Sequence, residues 1–239
     1  MSQSAGPFTD RYGLVFGYDI SENVNTYRGE PTTNIAYASY PNLTSNSNWW
    51  FNSGESILLN NDTSLTKPII PNVDTTNLHI FSSQVTVVGN QHIGSAIIPV
   101  SPNTQYTMSI YYWFQGSTMQ IQPYLRTAVN NELVVPFNYN GNTNYLNWPR
   151  GKWIRLSATY TTPGNETGVY MSSYTGDYVG EKVAYFGYQL EQKDHMTPLV
   201  LGTRGINTGL YNLADSTPIT LTALSYDSSA NFSFDGTDD

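Results

Sequence analysis

The chain has 239 residues, enough for one large domain or one domain and part of a second. Only 12% of them are charged, about half the usual share, and the net charge of −8, with ten scattered Lys and Arg, repels a phosphate backbone and argues against nucleic acid as the main partner. Cys is absent, which excludes disulfides, thiolate metal sites and Cys nucleophiles, and the three His at 79, 92 and 195 are not at ligand spacing, which argues against a zinc site or a His-based triad.

Residues 1–33 read as a polar N-terminal arm with one short apolar patch, Leu14-Val15-Phe16. Met1 to Asp10 has neither the basic nor the apolar region of a secretory signal. Trp49-Trp50-Phe51 comes next; consecutive aromatics in an extended segment point to opposite faces, so one can anchor a core while another reaches out. Strands are predicted at Ser56–Leu59, His79–Val88 and Gly94–Val100. The clearest alternation runs from Thr104 to Phe114, with Tyr106, Met108, Ile110, Tyr112 and Phe114 on a core side and Thr107, Ser109, Tyr111 and Trp113 on a polar side. In Met119 to Arg126, Ile121 and Leu125 alternate with Gln120, Gln122, Tyr124 and Arg126, and Pro123 marks an edge strand or a bulge.

Further along, Ile154, Leu156, Ala158 and Tyr160 form one face of Lys152–Tyr160, with Arg155, Ser157 and Thr159 opposite. In Thr167–Ser172, Val169 and Met171 oppose Tyr170 and Ser172. In Lys182–Glu191, Ala184, Phe186, Tyr188 and Leu190 are expected on the core side, opposed by Val183, Tyr185, Gly187, Gln189 and Glu191. Turn chemistry separates these runs at Ser101-Pro102-Asn103, Asn140-Gly141-Asn142, Trp148-Pro149-Arg150-Gly151 and Pro163-Gly164-Asn165. Residues 202–239 are again poor in apolar side chains and end in clustered Asp. No long Ala/Glu/Lys/Leu/Arg stretch suggests a helical bundle, and no 18-residue apolar run suggests a membrane-crossing helix or membrane insertion. The pattern predicts an all-β protein, an antiparallel β-sandwich of the jelly-roll kind.

Candidate chemistry rests on aromatic side chains. Tyr111 and Trp113 lie on the polar side of the best strand, Tyr124 on what reads as its neighbour, and Tyr170 on the outward side of another. Ring planes stack on the apolar faces of sugars, and Gln120, Gln122, Gln189 and Arg126 can bind hydroxyls. The same rings can instead pack against a neighbouring chain or an overlying loop. Glu55, Glu132, Glu166, Glu181 and Glu191 are isolated in sequence, so a glycosidase pair of carboxyl groups is not legible. The four Asn-X-Ser/Thr tripeptides, at Asn42, Asn61, Asn165 and Asn231, are expected by chance among 24 Asn and 50 Ser and Thr.

Three segments carry a resemblance. Val100-Ser101-Pro102-Asn103-Thr104-Gln105-Tyr106-Thr107-Met108-Ser109, Gly151-Lys152-Trp153-Ile154-Arg155-Leu156-Ser157-Ala158-Thr159, and Tyr185-Phe186-Gly187-Tyr188-Gln189-Leu190-Glu191 followed by Thr197-Pro198 resemble, in order and spacing, strands of cellulase-associated carbohydrate-binding-module jelly rolls. The resemblance covers residues 34–201. The flanks are similar to something else. Gly13-Leu14-Val15-Phe16-Gly17-Tyr18-Asp19 and Arg28-Gly29-Glu30-Pro31-Thr32-Thr33-Asn34 resemble lead-in segments of tailed-phage structural proteins. Gly209-Leu210-Tyr211-Asn212-Leu213 and Phe232-Ser233-Phe234-Asp235-Gly236-Thr237-Asp238-Asp239 resemble the opening of concanavalin-like, laminin-G-like lectin domains in such proteins.

The resemblance implies three parts: an arm and first lectin-like strand at 1–33, the jelly roll at 34–201, and the start of a lectin-like sandwich at 202–239 whose bulk lies beyond Asp239. It implies a bacteriophage virion protein of the tail, neck or head fibre type, made in the host cytoplasm and placed on the particle surface. Its expected partners are other virion proteins, further copies of itself and a bacterial surface glycan, bound through Tyr111, Trp113, Gln120, Gln122, Tyr124, Arg126 and Tyr170. No cofactor is expected beyond a structural calcium ion of the kind related jelly rolls hold. A non-binding assembly or decoration protein and a glycan-degrading enzyme stand as alternatives.

Overall fold

Alternating side chains need two sheets to bury them, and the computed structural model contains both. The residues it describes are 29–39, 49–51, 56–71, 73–86, 92–115, 122–129, 133–174, 179–205, 209–212, 217–219, 225–226 and 232–233. Their elements, in chain order, are β1 (Thr32–Thr33), α1 (Ile35–Ser39), β2 (Trp49–Phe51), β3 (Ser56–Asn60), β4 (Phe81–Val85), β5 (His92–Ser95) and β6 (Ile98–Pro99). Then follow β7 (Gln105–Gln115), β8 (Pro123–Thr127), β9 (Leu133–Pro136), β10 (Ile154–Thr161), β11 (Gly168–Tyr174) and β12 (Lys182–Glu191). The short strands β13 (Thr203–Arg204), β14 (Leu210–Tyr211), β15 (Pro218–Ile219), β16 (Ser225–Tyr226) and β17 (Phe232–Ser233) close the series. The chain divides into two compact units, Thr33–Gly202 and Met1–Thr32 with Thr203–Asp239.

In the unit Thr33–Gly202 one sheet has the strand order β10-β7-β12-β4-β3 and the other β2-β5-β11-β8-β9, with β6 also paired to β11. The strand pairs whose register is known are antiparallel. The core between the sheets takes Tyr106, Met108, Ile110, Tyr112 and Phe114 from β7, and Ile154, Leu156 and Ala158 from β10. Leu125, Val169, Met171, Ile93 and Ile98 come from the facing sheet. The alternation predicted for β7, β10 and β11 is therefore the observed one, and Tyr160 packs at the margin of the same core.

β12 departs from strict alternation. Val183 and Tyr185 face the core together with Tyr188 and Leu190, while Ala184 and Phe186 sit in a second apolar cluster on the opposite side of the sheet. The expected placement of Ala184 and Phe186 is thus corrected, and so is that of Val183 and Tyr185. The register with β7 shifts between Phe186 and Gln189, where Gly187 adopts a φ of 61°. A bulge inserts a residue and reverses the facing of everything beyond it. A Cβ at Gly187 would meet Leu199 Cδ2 at 3.0 Å and Tyr111 Cδ2 at 3.1 Å, so both conformation and space favour glycine.

Asn34 secures the strand beside this bulge. It is fully buried; its amide donates to the carbonyls of Tyr188 and Val200, each at 3.0 Å. Its Oδ1 accepts from Leu190 N and from Tyr37 N, both at 3.2 Å, the second being a cap on α1. The side chain thereby satisfies two backbone groups of β12.

Pro123 opens β8, where its missing N–H is tolerated, and β8 lies between β11 and β9 rather than at the edge. The register irregularity of the β8–β9 pair lies in β9, where Val134 is the extra residue between Val135, opposite Leu125, and Leu133, opposite Arg126. The Asn140-Gly141 turn forms as its sequence predicts, with φ of 50° and 79° and reciprocal backbone bonds of 3.0 and 2.9 Å between Tyr139 and Asn142.

In the second unit, β14 pairs with β15 and β16 with β17, both antiparallel. The buried Arg204 donates through Nε to the Glu30 carbonyl at 2.8 Å. The patch Leu14-Val15-Phe16 lies outside the described residues.

Candidate functional site

The side of the five-stranded sheet that carries Tyr111 and Trp113 is a packed layer. Ile70, Leu78, Ile80, Ala184, Phe186 and Leu199 are buried there, and Tyr111, Trp113, Trp153, Leu65, Val73 and Leu201 pack against them. The Tyr111 ring stands edge-on to Phe186 at 6.5 Å, and the Arg155 guanidinium lies 5.4 Å from its centroid. Burial pushes the Tyr111 hydroxyl pKa up and the Arg155 pKa down, as it does for charged forms taken out of water. Trp153 Nε1 donates to the Thr66 carbonyl at 2.7 Å, which holds the 61–80 segment over the sheet.

Even the small polar residues of this face are covered. Thr107 and Ser109 are buried; Thr107 Oγ1 donates to the Lys193 carbonyl at 2.9 Å, and Arg155 donates to Ser109 Oγ at 3.0 Å. Tyr111 and Trp113 are therefore half-buried under their own chain, the overlying-loop arrangement, and offer no open stacking platform. They also do not share a face with Tyr124. β7 belongs to one sheet and β8 to the other, so the expected neighbourhood of these strands is corrected.

The outer side of the six-stranded sheet gathers the remaining candidates. Leu125, Val169, Met171 and Ile93 point into the core, so Tyr124, Arg126, Tyr170, Ser172 and Gly94 turn away from it. Arg126 is opposite Tyr170, and Ser172 opposite both Tyr124 and Gly94. Continuing the register, Gly94 pairs with Trp50 and Tyr124 with Pro136. One row thus crosses five strands: Trp50, Gly94, Ser172, Tyr124, Pro136. Its middle is made of small residues, and Ser172 and Tyr170 are buried while Tyr124 and Arg126 remain partly exposed.

Gln122 supports this row rather than extending it. Its amide donates to the Thr143 carbonyl at 2.6 Å and the Phe137 carbonyl at 3.4 Å, and its Oε1 accepts from the Tyr124 hydroxyl at 3.3 Å. The Asn140-Gly141 hairpin sets Thr143, Thr143 sets Gln122, and Gln122 orients the Tyr124 ring. Gln120 lies outside the described residues. The row itself was hidden from sequence reasoning because Gly94 and Ser172 carry no distinctive chemistry; a glycine within a predicted strand, which marks close approach of another group, was the available signal.

Three of the described carboxylates, Glu166, Glu191 and Asp62, serve structure. Glu166 Oε1 accepts from the backbone N–H groups of Ala128, Thr167 and Gly168 at 3.0–3.2 Å. Glu191 is buried and accepts from Thr197 N and Gln189 Nε2 at 2.8 Å, so the Gln189-Leu190-Glu191 motif clamps the Thr197-Pro198 segment. Asp62 pairs with Lys182 and accepts from Ser64 Oγ and Ser82 Oγ at 2.6 Å. Among the described residues no three His, Asp or Glu converge on a common point. Glu55, Glu132, Asp235, Asp238 and Asp239 lie outside them.

The fold and this site define an antiparallel jelly-roll sandwich with the outer side of one sheet covered by its own chain and Tyr124, Arg126 and Tyr170 on the outer side of the other. No protein-family model and no curated protein matches the sequence. Among solved structures it is similar to the enzymatically active domain of bacteriophage CBA120 tailspike protein 4, at 12% identity and a TM-score of 0.44, over 66% of this chain and 21% of that one. It is also similar to the carbohydrate-binding and catalytic modules of a Clostridium thermocellum endo-1,4-beta-D-xylanase complexed with xylohexaose, at 11% identity and a TM-score of 0.40, over 71% of this chain and 29% of that one. A xylan-binding domain from Paenibacillus barcinonensis matches at 8% identity and a TM-score of 0.36, over 68% of this chain and 94% of that one. The chain thus spans less than a third of the xylanase and of the tailspike structure.

Proposed function

We propose that this protein is a glycan-binding component of a bacteriophage particle surface, and that it binds sugar on the outer side of its six-stranded sheet. The observation that carries the reading is the row Trp50, Gly94, Ser172, Tyr124, Pro136 with Arg126 and Tyr170 beside it. Tyr124, partly exposed and braced by Gln122, supplies a stacking plane with a fixed orientation. An extended sheet face suits a polymer better than a single small molecule, since successive sugars meet successive strands. The virion assignment rests on the flanking segments that resemble tailed-phage structural and lectin-like proteins. Many copies on one particle convert weak sites into avid attachment.

Binding without hydrolysis fits Glu166 and Glu191, since each is occupied by several donors of its own chain. The test is a glycan array probed with the full chain and with Tyr124→Ala. Retention of bacterial or plant polysaccharide by the parent chain, lost in the variant, supports the reading. Absence of retention on every glycan, with co-purification of a virion protein instead, establishes the assembly alternative. Release of reducing ends from a retained polysaccharide establishes the enzyme.

A further inference from the structure

We propose that Asn140 is a latent modification site, an asparagine set up for spontaneous deamidation, and that Asn138 holds the reaction in check. The proposal is independent of the glycan reading. Of the 24 Asn in the chain, Asn140 is the single one followed by Gly. Both residues are exposed, and a Cβ at Gly141 would meet nothing within 4 Å, so the approach is open. A glycine nitrogen is the least hindered attacker a following residue can offer, since no Cβ stands beside it. In the reaction the Gly141 nitrogen gives up its proton and attacks Asn140 Cγ. The N–Cγ bond forms, the Cγ–Nδ2 bond breaks, and ammonia leaves with the proton. Water then opens the resulting succinimide at one or other carbonyl, giving aspartate or isoaspartate. Water is the sole co-reactant.

The hairpin controls the nitrogen that must ionise. Two of its other asparagines serve the turn that follows: Asn142 Oδ1 accepts from Asn144 N at 2.9 Å, and Asn144 Oδ1 from Leu146 N at 3.1 Å. Asn138 reaches back instead, and the Gly141 N–H donates to its Oδ1 at 3.0 Å. The Asn138 amide is fixed from its other end, where Nδ2 donates to the Ser157 carbonyl of β10 at 2.8 Å. Reciprocal backbone bonds of 2.8 and 3.0 Å between Asn138 and Ser157 anchor the same residue. A hydrogen-bonded N–H must break its bond before it ionises, so the attack is slowed by the strength of that bond. Asn138 is thus a positioning residue: it acts on Asn140 through Gly141.

The full chain is incubated at mildly alkaline pH, folded and in urea, and aspartate and isoaspartate at position 140 are followed by peptide mass mapping. The folded rate is expected to be lower than the unfolded rate by on the order of 10-fold, the size of one hydrogen bond. Asn138→Ala removes most of that difference. Asn138→Asp keeps an acceptor for the Gly141 N–H but loses the donor to Ser157, and it keeps the difference; circular dichroism verifies that both variants fold. Hydrogen exchange at the Gly141 amide of the unaltered chain, expected to be slowed to a similar extent, reads the contact without any substitution. Equal rates in the folded and unfolded chain, a folded Asn138→Ala as slow as the parent, an Asn138→Asp as fast as Asn138→Ala, or free exchange at Gly141 overturns the inference. So does modification of the unfolded chain at another asparagine ahead of Asn140.

Discussion

Asp62 shows how a single residue ties the covering segment to the sheet. Burial pushes its carboxyl pKa up, but the Lys182 ammonium and the Ser64 and Ser82 hydroxyls outweigh that and hold it well below the usual carboxylate range. A carboxylate whose pKa is depressed on folding adds stability that is fully present above the unfolded value of about 3.9 and is lost as pH falls through the folded value. Asp62→Asn is therefore expected to lower stability at pH 7 by about 3–5 kcal/mol, because it leaves the Lys182 ammonium without its counter-charge. The gap from the parent narrows steadily below pH 4, and urea unfolding of both proteins from pH 7 to pH 2 measures it. Asn34 makes a second test at this scale. Asn34→Ala strands the buried Tyr188 carbonyl, the part-buried Val200 carbonyl and the buried N–H of Leu190, so a loss of about 2–4 kcal/mol is expected in the same assay.

Among the elements, β12 separates what sequence makes legible from what it hides. Strict alternation in β7, β10 and β11 reflects a single physical cause, one buried face per strand, and it reads directly from residues such as Met108, Leu156 and Met171. β12 is buried on both sides, so Ala184 and Phe186 are as apolar as Val183 and Tyr185, and periodicity cannot tell which pair faces which layer. Gly187 was the sign of the bulge. Gly187→Ala is expected to cost about 1–2 kcal/mol from its left-handed backbone, plus the displacement of Leu199 and Tyr111, seen as a lower Tm and altered near-UV tyrosine dichroism. Leu156→Ala, in a strand with no such irregularity, is expected to cost about 2–5 kcal/mol by opening a cavity in the central core.

At the scale of the whole molecule, the proposed binding face depends on which strands meet, and that is a long-range property. Tyr111, Trp113 and Tyr124 are close in sequence and chemically alike, yet β7 and β8 join different sheets and only one of those sheets keeps its outer side clear of the 61–80 and 193–201 segments. The reverse also holds: Trp50, Gly94, Ser172 and Tyr124 are scattered over the sequence and become one row only through strand pairing. Sequence could name the aromatic and polar residues worth testing, including Tyr124, Arg126 and Tyr170, but not their partition between a covered layer and the proposed binding face.

That partition is the central claim, and one paired measurement tests it: glycan retention of Tyr124→Ala against Trp113→Ala, each corrected for the folded fraction. The account predicts that Tyr124→Ala abolishes retention with the fold intact, whereas Trp113→Ala lowers thermal stability and leaves the retention of the folded fraction unchanged. Loss of retention in folded Trp113→Ala, with full retention in Tyr124→Ala, would contradict it.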